Sequence, residues 1–167
     1  MTVPRGMHLA ELNIGRLLAP TDDPRVGEFM AALDRINGLG KRMPGFVWMM
    51  EGSGGPGTGN TEAKIGGDAQ FVSNLTVWES VETLEAFVWN TVHRQFYERR
   101  QDWFEVLGRM HFVMWWVPAG HRPTLDEALG RLDLLQAQGD SEAAFGWKYL
   151  REAVLWQTRS CTAVPAQ

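Results

Sequence analysis

The sequence predicts an α+β fold in which helices cover one face of a four-stranded antiparallel sheet. The chain has 167 residues, 44% of them hydrophobic, which is enough for one sizeable core and most simply one domain over residues 1–167. Its apolar pattern changes between strand and helix periods in the order strand, helix, strand, strand, helix, strand, helix. No internal repeat or low-complexity linker divides it.

The first strand is predicted over residues 8–19, where apolar residues alternate. One of its faces carries Ala10, Leu12 and Ile14, and the other carries Leu9, Glu11 and Asn13. A helix follows, with Asp23 as its cap and Pro24 at its first position, and it ends near Gly40. A short strand is then predicted over residues 46–51.

Residues 52–69 are predicted to form a glycine-rich surface loop, a candidate lid. The loop contains G-x-G-x-x-G at Gly52, Gly54 and Gly57, but a dinucleotide fingerprint must open a helix. Pro56 and the further glycines that follow do not predict the start of a helix. The sequence therefore does not favour dinucleotide binding.

A third strand is predicted over residues 70–80, and Ser80 caps a long helix over residues 81–107. The fourth strand, residues 111–120, is apolar on both faces, with Trp115 on one and Trp116 on the other. Thr124 and Glu127 form a capping box for the last helix, which Gly139 ends. Residues 8–139 are thus the core, and 140–167 are a variable extension.

This order of elements is ferredoxin-like. Two intervening helices cover only one sheet face, so the second apolar face of the fourth strand should contact another apolar surface. We therefore expect two copies to pack their open sheet faces together, as a homodimer with a barrel-like interior. Eight tryptophans also favour an aromatic interior, an interface or a pocket for a planar ligand.

Composition excludes several classes of function. The net charge is −4 and no long basic run is present, so we expect no nucleic-acid partner. The only cysteine, Cys161, allows neither an internal disulfide nor a cysteine-based zinc site, which fits a reducing cytoplasm. No apolar stretch is typical of a signal peptide or a membrane span, so a cytoplasmic protein without membrane contact is expected.

Several segments carry a resemblance to known proteins. The segments "AELNIGRLLAP", "TVWES", "WFE" and "WWVPAGHRPTLDEALGRLDLL" resemble the bacterial family called domain of unknown function 3291, over about residues 8–139. The segment "NLTVWESVETLEAFVWNTVHRQFYERR" is similar to a strand-to-helix segment of the dimeric α/β-barrel superfamily. That superfamily includes antibiotic-biosynthesis-type monooxygenases and haem-degrading enzymes. The family usually closes with an Ala-Phe-Thr-Phe-like strand, whereas "AAFGWKYLREAVLWQ" here is altered and extended.

Glu11 and Asn13 are the first candidates for a functional role. They share the strand face that we expect to line the barrel interior, where a polar pair can orient a substrate or stabilise developing negative charge. The resemblance implies an asparagine on the first strand as a site residue, which matches Asn13. The alternative is an ordinary hydrogen bond at an edge or interface.

His93 is the second candidate, with Trp89 one turn before it and Tyr97 one turn after it. A histidine there could be a general base near neutral pH. The haem-degrading branch implies an axial haem ligand, although its histidine lies closer to the helix end than His93 does. The remaining alternative is that His93 has only a structural role. Trp78 and Trp116 are further candidates for contact with an aromatic substrate.

His121 and Arg122 follow the fourth strand in a turn, where they could bind a carboxylate or phenolate oxygen, or form a salt bridge with the acidic helix that follows. The four histidines come from different elements without an H-E-x-x-H spacing, so no metal site is expected. No G-x-S-x-G nucleophile elbow is present, which argues against a hydrolase.

These observations favour a small-molecule enzyme acting on a planar aromatic or polyketide-like ligand. The superfamily resemblance implies a cofactor-independent, monooxygenase-like oxidation, with His93 deprotonating a phenol or enol and Asn13 holding the oxyanion. The alternatives are an isomerase or cyclase on the same scaffold, a haem-dependent enzyme, and a non-catalytic ligand carrier or sensor.

Overall fold

The computed structural model describes residues 3–52 and 65–150. Within them the strands are Met7–Arg16 (β1), Phe46–Met49 (β2), Phe71–Trp78 (β3) and Phe112–Pro118 (β4). The α-helices of the same residues are Gly27–Gly40 (α1), Val81–Asn90 (α2), His93–Glu98 (α3) and Leu125–Gln138 (α4). Short 3₁₀ turns lie at Pro24–Val26, Arg100–Asp102 and Trp147–Tyr149. No helix in these two ranges is long and apolar enough to cross a membrane.

The strands form one antiparallel sheet in the order β2-β3-β1-β4. The predicted α+β fold with a four-stranded antiparallel sheet is confirmed. In its register, Asn13 of β1 lies between Asn74 of β3 and Phe112 of β4. Phe145 also pairs with Met114 on the outer edge of β4, through backbone hydrogen bonds of 2.7 and 2.9 Å. The start of the predicted variable extension is therefore joined to the sheet.

The predicted ends of most elements are confirmed by their capping contacts. The Asp23 carboxylate accepts a hydrogen bond from the Arg25 backbone N–H at 2.9 Å, at the turn that leads into α1. Ser80 caps α2 in a reciprocal arrangement with Thr83. Thr124 caps α4, and Gly139 ends it with a positive φ of 76° that favours glycine.

The prediction of one continuous helix over residues 81–107 is wrong, because the helix breaks at Thr91. Thr91 has extended backbone angles, and its hydroxyl donates to the Phe87 carbonyl at 2.6 Å. The same hydroxyl accepts a hydrogen bond from the His93 N–H at 3.2 Å. Threonine thus satisfies backbone groups at the end of one helix and at the start of the next. His93 consequently lies in the first turn of α3.

Helices cover both faces of the sheet, and not one face as predicted. Helices α1 and α2 pack against the face that carries Leu9, Trp78 and Met114. Helix α4 packs on the opposite face, through Ala128, Leu132 and Leu135. Because the apolar stripe of α4 needs burial as much as the sheet does, the helix folds back over β4 and β1.

The expectation of an open sheet face is also wrong. The face that carries Glu11 and Asn13 was expected to meet a second copy of the chain, but α1 and α2 cover it. Leu12, Val113 and Trp115 lie on the face that α4 covers, and each is 0% exposed. A partner subunit is therefore not needed to bury this face. The homodimer stays a prediction.

Candidate functional site

A cavity of about 330 Å³ lies between the sheet and helices α1 and α3. Strands β1 and β3 contribute one side of its lining, and the rest comes from α1, α3, residues 100–107 and His111. Its polar side chains include Asn13, Asn37, Asn74, His93 and Tyr97. The volume is near the lower end of the roughly 300–1,000 Å³ found in small-molecule sites.

Asparagine amides line the sheet side of the cavity. Asn13 and Asn74 lie opposite each other on β1 and β3, and Asn74 Nδ2 donates to Asn37 Oδ1 of α1 at 3.5 Å. Asn13 is half-buried, and its amide makes no hydrogen bond to another residue that the structure describes. It is therefore available to a guest molecule. Only the strand register reveals Asn74, and no pattern in the sequence of α1 distinguishes Asn37 from its polar neighbours Asp34 and Arg35.

His93 lines the same cavity from the first turn of α3. Its ring lies 4.9 Å from the Phe87 ring, and its buried Nδ1 has no hydrogen-bond partner among the described residues. Burial lowers the pKa of His93 to about 4, and a backbone contact with Val88 opposes this shift. The imidazole is therefore neutral near pH 7. A negative charge formed beside it would raise this pKa again.

Aromatic rings form the apolar walls. Phe29 and Phe104 meet edge to face with ring centroids 4.8 Å apart, and Phe96 lines the cavity from α3. Gly15 of β1 allows this arrangement, because a Cβ there would lie 2.6 Å from Phe104 Cδ1. Flat rings on several sides suit a planar apolar molecule.

Glu11 belongs to a buried network and does not line the cavity. It is 7% exposed, and its Oε2 accepts a hydrogen bond of 2.7 Å from the Thr76 hydroxyl. Thr76 in turn accepts one of 2.9 Å from Trp78 Nε1. Burial raises the pKa of Glu11 to about 7, and the Thr76 hydrogen bond lowers it in part. Glu11 and Trp78 thus lie on the same sheet face as Asn13, outside the cavity lining.

The other residues chosen from the sequence lie elsewhere. Trp89 is buried in the core against Tyr97, and Trp116 packs against Phe145. His121 Nε2 lies 2.8 Å from Glu127 Oε2, so this histidine contacts the acidic helix. Arg122 is exposed. The structure therefore brings together Asn13, His93 and Tyr97, and leaves the remaining candidates outside the cavity.

A metal ion and haem place different demands on these residues. In the described ranges, no three histidine, cysteine, aspartate or glutamate side chains lie close enough to hold a metal ion. A haem would need His93 as its axial ligand, but the cavity has the volume of a small drug-sized ligand, and a haem with its propionates is larger. The His93 ring also lies against Phe87. These residues do not fit haem.

Comparison with known proteins gives a family. No curated protein matches the chain. The family described as "Domain of unknown function (DUF3291)" matches residues 8–161, which extends past residue 139 and includes the Phe145 pairing with β4. With most of its length matched, the chain belongs to this family of domains of unknown function.

Proposed function

We propose that this protein is a small-molecule enzyme that ionises and oxidises a planar phenol or enol in the cavity, without a resident cofactor. The main support is that Asn13 and His93, which lie on different elements, line the same aromatic-walled cavity. The resemblance to the dimeric α/β-barrel monooxygenases supplies the chemical rationale, although a fold alone does not determine a reaction.

The residues that line the cavity have different roles in the proposed reaction. The rings of Phe29, Phe96 and Phe104 contact the plane of the substrate. The amide N–H groups of Asn13 donate to the substrate oxygen as it becomes negative. His93 accepts the proton, and the resulting imidazolium is stabilised by the adjacent oxyanion inside a site of low dielectric constant.

The ionised substrate then reduces dioxygen. With anthrone as the probe, the methylene carbon loses two hydrogens and gains one oxygen atom. The second oxygen atom leaves as water with those two hydrogens, so the product is anthraquinone. The same ionisation without dioxygen consumption would be an isomerase or cyclase step.

One observation favours a second candidate, a non-catalytic ligand-binding protein. A pKa of about 4 makes His93 a weak base until a negative charge forms beside it. A carrier needs the cavity and the asparagine amides, but no proton transfer to His93.

The test combines dioxygen consumption with binding. An oxygen electrode records the oxidation of anthrone above its spontaneous rate, and tryptophan fluorescence records its affinity. We expect His93→Gln to lower kcat by about 100-fold or more, and Asn13→Ala by about 10- to 100-fold, with affinity changed by less than about threefold. Arg94→Gln is the control, since Arg94 is on α3 but its guanidinium pairs with Glu98 outside the cavity.

Full turnover by His93→Gln would contradict the proposed role of His93. If the wild type and all the variants bound anthrone but none of them consumed dioxygen, the protein would be a ligand carrier. Exchange of the anthrone methylene hydrogens for deuterium, without dioxygen consumption, would indicate an isomerase or cyclase.

A further inference from the structure

The exposed part of the cavity lining carries a cation that the proposed function does not use. Arg100 lines the cavity, with its guanidinium carbon 4.7 Å from the centre of the Tyr97 ring. One of its nitrogens, Nη1, donates to the Tyr97 carbonyl at 3.0 Å. Arg100 makes no ion pair with any residue that the structure describes, whereas its neighbour Arg99 pairs with Glu28 and Asp102.

His111 lines the cavity as well, just before β4. Its carbonyl accepts a hydrogen bond of 2.9 Å from the Ile14 N–H, which fixes this residue beside β1. Burial lowers the pKa of His111, and the positive charge of Arg100 lowers it further. The histidine and the arginine are therefore neighbours in the cavity lining.

The acidic side chain of this region is already paired. Glu105 also lines the cavity, but its carboxylate accepts a hydrogen bond from Arg16. Arg16 also binds Asp68 at 2.7 Å. Because Glu105 is held by Arg16, it does not neutralise Arg100.

We infer that Arg100 and His111 bind a carboxylate of the ligand, so that the substrate class is a planar aromatic carboxylic acid. The inference rests on the proposed function, which places the phenol or enol oxygen of the same molecule at Asn13. A guanidinium binds a carboxylate through two parallel hydrogen bonds. In Arg100, Nη1 is used by Tyr97, and Nε and Nη2 remain free for those bonds within the described structure. The Tyr97 ring contributes a cation–π contact that holds the guanidinium in place.

A matched pair of ligands tests this inference. Calorimetry at pH 7.5 compares 6-hydroxy-2-naphthoic acid with its methyl ester, which keeps the rings and the phenol but lacks the charge. We expect the wild type to bind the acid at least about tenfold more tightly. The net charge of −4 disfavours anions in general, so it would not produce this preference.

Variants of Arg100 then test whether this residue causes the preference for the acid. Arg100→Gln should lower the affinity for the acid about tenfold and leave that for the ester unchanged, and Arg100→Lys should fall between. Arg94→Gln should bind both ligands like the wild type. The inference would be overturned if the wild type bound the acid and the ester equally well, or if Arg100→Gln kept the preference for the acid. In either case, binding of the ester would still show that the cavity accepts the ring system. Failure of both ligands to bind would overturn the proposed function too.

Discussion

The two faces of the sheet are both covered by helices, yet they differ in chemistry. On the face under α4, Leu12, Val113 and Trp115 are fully buried, and their contacts are apolar apart from a 3.2 Å hydrogen bond from Trp115 Nε1 to Glu127 Oε1. On the face under α1 and α2, β1 and β3 carry Glu11, Asn13, Asn74 and Thr76, and the cavity opens there. The candidate site therefore lies on the sheet face that carries polar side chains, and not on an uncovered apolar surface.

The helix break at Thr91 accounts for part of this difference. The residues of α2 pack on the sheet, with Phe87 and Val88 in the core, and none of them lines the cavity. The residues of α3 after the break do line it, including His93 and Phe96. One amphipathic segment thus fills the core with its first part and lines the cavity with its second.

The largest expected effect separates the two neighbouring tryptophans. Trp115→Ala removes a fully buried ring from the apolar face and should lower the free energy of unfolding by about 3–5 kcal/mol. Trp116 is half-buried on the other face, so Trp116→Ala should cost clearly less. Urea denaturation at pH 7 measures both. Equal losses of unfolding free energy in the two variants would contradict the proposed difference between the two sheet faces.

The second prediction concerns the buried carboxyl group on the polar face. The pKa of Glu11 is raised from 4.5 to about 7 in the folded chain, so its contribution to stability is complete below pH 4.5 and lost as pH rises through 7. Above pH 8, the ionised form should cost about 3 kcal/mol relative to pH 4.

Glu11→Gln keeps an acceptor for the Thr76 hydroxyl and cannot ionise. We expect it to remove this pH dependence and to stabilise the fold at pH 8, as measured by denaturation at several pH values. Glu142→Gln at an exposed position is the control. A variant at position 11 with the pH profile of the wild type would show that Glu11 is not the titrating group.

The smallest expected effect concerns Gly15 at the cavity wall. In Gly15→Ala the new Cβ would lie 2.6 Å from Phe104, which then has to move and narrow the cavity. We expect a loss of about 1–3 kcal/mol in stability and a fall in affinity for planar ligands. Gly130→Ala on α4 has open space and should be neutral or stabilising. Unchanged ligand affinity in Gly15→Ala would show that Phe104 does not shape the cavity.

Much of the fold could be predicted from the sequence, because alternation, spacing and caps are local signals. Asp23, Ser80 and Thr124 each marked the start of a helical element correctly. The sheet face that each helix covers could not be predicted, since an amphipathic stripe shows that a helix has an apolar side but not what it packs against. That is why α4 was not expected on the face of Trp115.

The site was predictable only in part. A polar residue on an otherwise apolar strand drew attention to Asn13, and a histidine at the edge of a helical stripe drew attention to His93. Asn74 depends on the register between β1 and β3, and Arg100 depends on the break at Thr91, which changes the direction of the chain after α2. Neither the strand register nor the helix break is revealed by the spacing of apolar residues along the sequence.

The most direct test of the central claim is a crystal structure of the protein with 6-hydroxy-2-naphthoic acid. We expect electron density for the naphthalene ring in the cavity, with its phenol oxygen within hydrogen-bond distance of both Asn13 and His93. A ligand bound on another surface, with side chains of the protein filling the space between these two residues, would contradict it.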